Sequence, residues 1–158
     1  MKKRSALLLA ALLSLALLGC AKEEPRVPTV GDASETALTE NAPIVMEVTD
    51  ETVARDAEEI SLKVTNSSDE AYTFGEDSWV EVFSDGAWHV LKSAEGESSF
   101  DVVAIACILP ASGTADASVR LALYGDWFDP GRYRVVKTFS PDSGGEDVIA
   151  AAEFEIGK

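Results

Sequence analysis

From Pro43 onward, apolar and polar residues alternate in short runs, and turn residues interrupt these runs about every eight to twelve positions. The runs 44–48 and 60–65 place their apolar residues at every second position. Because successive side chains of a strand point to opposite faces, this pattern predicts half-buried antiparallel strands. No segment carries a sustained apolar stripe of helical period. Residues 43–158 are therefore predicted to form an all-β sandwich of antiparallel strands.

A hairpin is predicted in the middle of this region. The runs 79–83 and 87–91 flank the sequence Ser84-Asp85-Gly86. An Asp-Gly pair favours the positive backbone angles that a tight turn between antiparallel strands requires. The two runs are therefore expected to pair directly.

A tyrosine corner is predicted at Tyr133, which follows the turn sequence Asp129-Pro130-Gly131. In such a corner the phenol hydroxyl bonds to the backbone a few residues upstream. An antibody domain would have its second cysteine two residues later, where this chain has Val135. Stability is thus expected to depend on the core alone. Lys137 interrupts the inward alternation, so either the strand bulges there or the lysine lies beyond the core.

The first nineteen residues have the pattern of a secretion signal. Lys2, Lys3 and Arg4 precede an apolar run over 6–18, which is too short for a stable membrane-spanning helix. The ending Leu17-Leu18-Gly19-Cys20 resembles the lipobox of bacterial lipoproteins. The small Gly19 would admit the signal peptidase, and the Cys20 sulfur would accept the lipid. Cleavage before Cys20 and a lipid anchor on the extracytoplasmic face of the cell membrane are therefore expected.

Residues 20–42 are predicted to be a flexible acidic linker behind the lipidated cysteine. They contain Pro25, Pro28 and Gly31 and show little apolar repetition. A flexible coil of this length spans roughly 25 Å. This expectation places the domain at some distance from the membrane.

The charge of the chain excludes one class of partner. The formal net charge is −15, and loss of the leader with its three basic residues would lower it to −18. Nucleic acid is therefore not expected as a ligand. Anionic lipid headgroups would repel the folded part, so membrane attachment is expected to depend on the lipid.

Several stretches together resemble a bacterial immunoglobulin-like domain family found in lipoproteins and other envelope proteins. They are spread over nearly the whole domain, at 62–66, 72–77, 80–88, 108–110, 123–125 and 130–137. The resemblance implies an immunoglobulin-like antiparallel β-sandwich of about seven strands with Greek-key connections, carried on a lipoprotein, and it implies no catalytic residues. The segment 126–129 departs from the family, because it is longer and more aromatic than the leucine-proline turn expected there.

No catalytic or metal-binding set is evident. His89 is the only histidine, and no serine lies in a Gly-x-Ser-x-Gly elbow. With Cys20 lipidated, Cys107 is the one remaining thiol, and it is interpreted as a core residue, with a reactive thiol as the alternative. One histidine and one thiol are too few for zinc, and no cofactor is expected. Calcium at Asp142, Glu146 and Asp147 stays open, although their spacing is not that of an EF-hand.

Two functional classes fit these features. The first is a non-catalytic binding module that meets an envelope protein or glycan. The second is an accessory or inhibitory lipoprotein that regulates an envelope enzyme, for example by strand addition at a sheet edge. Tyr124, Trp127 and Phe128 are the candidate contact residues if they form an exposed aromatic surface, and core packing of at least one is the alternative.

Overall fold

The computed structural model of the chain describes residues 24–75, 78–94 and 106–157, and these form two packed antiparallel sheets. Ten strands lie within the described residues: β1 Thr29–Ala33, β2 Ile44–Val48, β3 Glu59–Asn66, β4 Tyr72–Phe74, β5 Trp79–Ser84, β6 Ala87–Lys92, β7 Cys107–Leu109, β8 Thr114–Arg120, β9 Gly131–Pro141 and β10 Val148–Ile156. A 3₁₀ helix spans Leu121–Leu123. No helix among the described residues is long and apolar enough to cross a membrane.

The larger sheet has the order β1-β6-β5-β9-β4-β7, and β10 also pairs with β9, along residues 131–139. The smaller sheet has the order β2-β3-β8. Strands β3 and β8 are neighbours although four strands separate them in sequence, so the connections cross between the sheets. This arrangement confirms the immunoglobulin-like sandwich. The described strands exceed the seven expected because β1, β4 and β7 are short additional strands.

The core lies between the sheets and follows the alternation in the sequence. Ile60, Leu62 and Val64 of β3 are buried, and the residues between them are exposed. Val80 and Val135 face them from the larger sheet and are also fully buried. Each such side chain contributes about 1.5–3 kcal/mol by leaving water. Two sheets with one apolar face each can therefore form a single core without a disulfide.

Both local motifs have the expected geometry. Asp85 and Gly86 have φ angles of 52° and 82°, and Ser84 pairs with Ala87 across the hairpin turn. The Tyr133 hydroxyl donates a hydrogen bond of 2.7 Å to the carbonyl oxygen of Asp129. The hairpin and the tyrosine corner are therefore confirmed.

Strand β9 continues through Lys137 without a bulge, because its register with β10 is unbroken from Gly131 to Phe139. The lysine is buried, and its ammonium lies 5.8 Å from the ring centroid of Phe74. Both alternatives are therefore wrong: the strand does not bulge, and Lys137 is buried between Val135 and Phe139 on the core-facing side of β9.

The expected flexible linker is not what the structure has over residues 24–42, which we call the N-terminal segment. Its strand β1 pairs with the edge of β6, with Thr29 opposite Lys92 and Val30 opposite Leu91. The backbone amide of Thr39 also donates to the carbonyl of Ile149 at 2.9 Å. The prediction of a flexible linker is thus wrong for this segment, because backbone hydrogen bonds hold it along the sandwich.

Candidate functional site

The N-terminal segment crosses the larger sheet on the face opposite to the core. The Ser34 amide donates a hydrogen bond of 2.7 Å to the carbonyl oxygen of Trp88 on β6. Five residues later, Thr39 and Ile149 exchange hydrogen bonds at β10. Gly31 permits the close approach, since an added Cβ would lie 2.7 Å from the Val90 carbonyl oxygen. The segment therefore covers part of the outer surface of β5 and β9, around Glu81.

A buried ion pair lies under this cover. Val80 points into the core, so Glu81 points to the outer face, where the N-terminal segment buries it completely. One Glu81 carboxylate oxygen, Oε2, accepts bonds from Arg134 Nε at 2.6 Å and Nη2 at 2.5 Å. The other, Oε1, accepts bonds from Ser34 at 2.6 Å, Trp79 at 2.8 Å and Thr36 at 3.1 Å.

The balance of these contacts keeps Glu81 ionised. Burial acts to raise the pKa of the Glu81 carboxyl, whereas hydrogen bonds from Ser34, Trp79 and Arg134 and the charge of Arg134 lower it. The lowering contributions together exceed the desolvation, and the pKa lies below its usual value. The group is therefore a fixed charge that organises its neighbours and is not poised to exchange protons near neutral pH.

Next to this pair lies a surface that we call the aromatic–arginine cluster, composed of Phe83, Trp88, Arg132 and Arg134. The rings of Phe83 and Trp88 meet edge to face, with centroids 5.2 Å apart. The Arg132 guanidinium lies 4.9 Å from the Phe83 centroid, and that of Arg134 lies 4.5 Å from the Trp88 centroid. Phe83 remains 36% exposed. Flat apolar rings beside guanidinium groups form the kind of surface that is enriched in binding interfaces.

Sequence reasoning missed this cluster. The hairpin turn alone would have placed Phe83 opposite Trp88, because a two-residue loop fixes the register of its strands. The pairing of β5 with β9, which brings Arg132 and Arg134 alongside, joins residues about 50 positions apart. No local pattern specifies that pairing.

The structure separates the three aromatic residues that the sequence grouped as one contact. Phe128 is fully buried with its ring edge against Tyr133, at 5.9 Å between centroids. Tyr124 is also buried, and its hydroxyl donates to the Ser78 carbonyl at 3.4 Å. Trp127 is 37% exposed, and the Arg55 guanidinium lies 4.8 Å from its ring centroid. The exposed aromatic surface is therefore wrong for Tyr124 and Phe128, and Trp127 alone stays a candidate contact.

Burial also affects the two phenols of this region. Desolvation raises the pKa of Tyr124, and desolvation with the nearby Asp129 carboxylate raises the pKa of Tyr133 to about 12. Both hydroxyls thus remain protonated and available as hydrogen-bond donors well above neutral pH.

The N-terminal segment is fixed beside Trp127. Arg26 contacts the Asp126 carboxylate through Nε at 2.9 Å and Nη2 at 2.6 Å. Its carbonyl accepts bonds from the amides of Asp126 at 2.7 Å and Trp127 at 3.2 Å. Hydrogen bonds from Arg26 lower the pKa of Asp126 to about 2. Gly125 permits this contact, because a Cβ there would lie 2.7 Å from the Arg26 carbonyl oxygen.

His89 and Cys107, the histidine and the thiol considered in the sequence, both lie partly buried in the sandwich. His89 is half-buried, with Nδ1 3.4 Å from the Gly31 carbonyl oxygen. Cys107 is half-buried and packs against the hydrophobic core, in keeping with the core interpretation. Cys20 and Gly19 lie outside the described residues.

The acidic loop after β9 is partly engaged in protein contacts. Asp142 accepts a hydrogen bond from Thr73, and Asp147 accepts one from Ser140, each at 2.8 Å. Over the described ranges, no group of three or more histidine, cysteine, aspartate or glutamate residues is arranged to hold a metal ion. The two aspartates are thus oriented by hydroxyls of different strands.

Comparison with solved structures finds similar chains at low identity. A structural genomics structure, titled as Northeast Structural Genomics Consortium target SoR45, is 16% identical, with a TM-score of 0.46; the match covers 77% of this chain and 90% of that one. The Pseudomonas fluorescens alkylpurine DNA glycosylase AlkC, bound to DNA with an abasic-site analogue, is 16% identical, with a TM-score of 0.38; that match covers 74% of this chain and 31% of the glycosylase.

A search of curated proteins found no match. The model of the bacterial Ig-like domain matches residues 40–155, which is most of the chain and nearly all of the sandwich. The chain belongs to the bacterial Ig-like domain family.

Proposed function

We propose that this chain is a lipid-anchored extracytoplasmic lipoprotein whose Ig-like domain is a non-catalytic interaction module in the cell envelope. The observation that carries the proposal is the leader that ends at Gly19-Cys20 directly before a domain of this family. Two or more acyl chains hold a protein on a membrane durably. The domain is then presented to envelope proteins and glycans, and its role is to bind.

The aromatic–arginine cluster is the best-supported contact surface for such a partner. Phe83 and Arg132 are partly exposed and lie together on the outer face of the larger sheet. Arg132 is paired with Glu153 at 2.9 Å, which fixes its guanidinium over the ring. A preformed surface of this kind loses little side-chain entropy on binding. It suits a partner with a flat apolar face, such as the apolar face of a sugar ring in a glycan.

The lipid anchor is tested by labelling cells with radioactive palmitate. The wild-type chain should incorporate label and Cys20→Ser should not, because the sulfur is the acceptor. Equal labelling of both chains, or labelling of neither, would refute the anchor at this position.

The contact surface is tested by crosslinking in intact cells, with mass spectrometry of the captured partner. Phe83→Ala with Arg132→Ala should reduce capture of that partner at least tenfold. The matched control is Val45→Ala, which removes an apolar side chain of comparable exposure, 54%, from the other sheet. Equal capture by the double variant and the control would refute the surface.

A regulatory role by strand addition is the second candidate, and the sheet edges favour it. Within the described residues, β1 pairs only with β6 and β8 pairs only with β3. Each of these strands thus presents one row of backbone groups that an extended partner segment would pair with. Capture of a protease or wall enzyme favours this role, whereas binding to purified wall polysaccharide favours the first proposal.

A further inference from the structure

The ordered N-terminal segment sharply shortens the distance between the domain and the proposed anchor. Arg26 is fixed to Asp126 by paired side-chain and backbone hydrogen bonds. Cys20 is six residues upstream in the sequence. However those residues are arranged, six residues span at most about 20 Å. As a flexible coil they would average only about 13 Å. A domain anchored at Cys20 is therefore held with Arg26 close to the lipid surface.

The residues around Arg26 define which side of the domain is nearest the bilayer. The Trp127 amide donates to the Arg26 carbonyl, so the indole is carried beside the point where the chain leaves the domain. The indole is 37% exposed and stacks under the Arg55 guanidinium. Tryptophan is enriched where membranes meet water, because its ring is apolar and its N–H is polar.

Two ion pairs flank Trp127 on this side. Arg26 pairs with Asp126 at 2.6 Å, and Arg55 pairs with Asp129 at 3.0 Å. Paired charges give no strong attraction to anionic headgroups and no strong repulsion from them, although the chain as a whole is acidic. The occupant that fits this side is a zwitterionic lipid interface.

We propose that the side of the domain bearing Arg26, Arg55 and Trp127 rests on the lipid–water interface, with the Trp127 indole in contact with lipid. This orientation rests on the proposed lipid anchor at Cys20. The aromatic–arginine cluster is not part of this contact and remains available to a partner.

The test uses the full lipidated chain in phosphatidylcholine vesicles whose acyl chains carry bromine, which quenches nearby indoles. Tryptophan emission should be quenched in the wild type, and Trp127→Phe should remove most of the quenched fraction. The matched control is Trp88→Phe, which removes an indole of the cluster on the sheet face and should leave the amount of emission lost to bromine unchanged.

A second variant keeps the domain unchanged. Insertion of ten glycine and serine residues after Ala21 lengthens the tether from six residues to sixteen. Effective concentration falls as about the −3/2 power of tether length, so the ratio of contacting to released domains should fall about fourfold. This variant still decides the question if Trp127→Phe fails to fold.

The outcomes separate the two proposals. Chains that float with the vesicles, with quenching unchanged both by Trp127→Phe and by the insertion, would overturn the orientation and leave the anchor intact. Chains that do not float with the vesicles would overturn the anchor, and the orientation with it.

Discussion

The buried pair of Glu81 and Arg134 gives the sharpest stability prediction. Arg134→Leu removes both hydrogen bonds to Oε2, at 2.6 and 2.5 Å, and leaves a carboxylate with no exposed surface. Breaking one side of a buried pair typically costs about 3–5 kcal/mol, because the remaining charge is neither solvated nor neutralised. The free energy of unfolding of Arg134→Leu should fall by that amount.

The double variant Glu81→Leu with Arg134→Leu should lose much less. It removes both charges and leaves apolar side chains, so the remaining cost is the hydrogen bonds that Ser34, Thr36 and Trp79 made to Glu81. At about 1 kcal/mol for each of the three bonds, the loss is at most about 3 kcal/mol. The double variant should therefore be more stable than Arg134→Leu alone.

The measurement is urea unfolding of the wild type, both single variants and the double variant, followed by tryptophan fluorescence. The resulting cycle isolates the coupling between the two residues. Arg132→Leu and Glu153→Leu form the control cycle on a half-exposed pair of the same sheet, where the coupling should be about 0.2–1 kcal/mol. Additive losses at Glu81 and Arg134, or a loss below about 1 kcal/mol for Arg134→Leu, would refute the reasoning.

Three further outcomes are expected. The pKa of Glu81 is lower in the folded than in the unfolded protein, so its contribution to stability is present above the unfolded pKa and is lost as pH falls through the folded pKa. Lowering the pH should therefore destabilise the wild type more than Glu81→Gln. Tyr133→Phe should cost about 0.5–1.5 kcal/mol in urea unfolding, and should reduce the loss of stability expected between about pH 10 and 12, because one of the two phenols with a raised folded pKa is removed. Gly86→Val should cost about 1–2 kcal/mol by thermal unfolding, since φ there is +82°, whereas Gly157→Val, with nothing near its Cβ, should be neutral.

The parts of the fold that the sequence predicts are those with local signals. The alternation of Ile60, Leu62 and Val64 specifies which face of β3 is buried, without reference to its partners. The Asp85-Gly86 turn and the Tyr133 corner each close within a few residues, so their geometry is encoded where it forms. Pairing between distant strands has no such local signal.

The N-terminal segment shows why the remainder is not predictable from local patterns. Its strand β1 has the sequence Thr-Val-Gly-Asp-Ala, which has no period-two apolar face, and it pairs with β6 about 60 residues later. Edge pairing uses backbone groups, which every residue has, so composition does not report it. The seating of Tyr124 in the core likewise depends on Ser78, which reaches it only through the tertiary fold.

The position of the N-terminal segment depends on Glu81, on the outer face of the larger sheet beneath it. Ser34 and Thr36 bond to the same carboxylate oxygen of Glu81 that Trp79 contacts, and the other oxygen receives Arg134. Each of these bonds contributes little alone. Because β1 and Arg26 also hold the other end of the segment, it detaches only when several bonds break together. The fixed charge of Glu81 therefore orients the N-terminal segment on the sheet, and Glu81→Gln should expose residues 34–39 to protease before the sandwich unfolds. Simultaneous loss of this segment and of the core strands would show that the two form one cooperative unit.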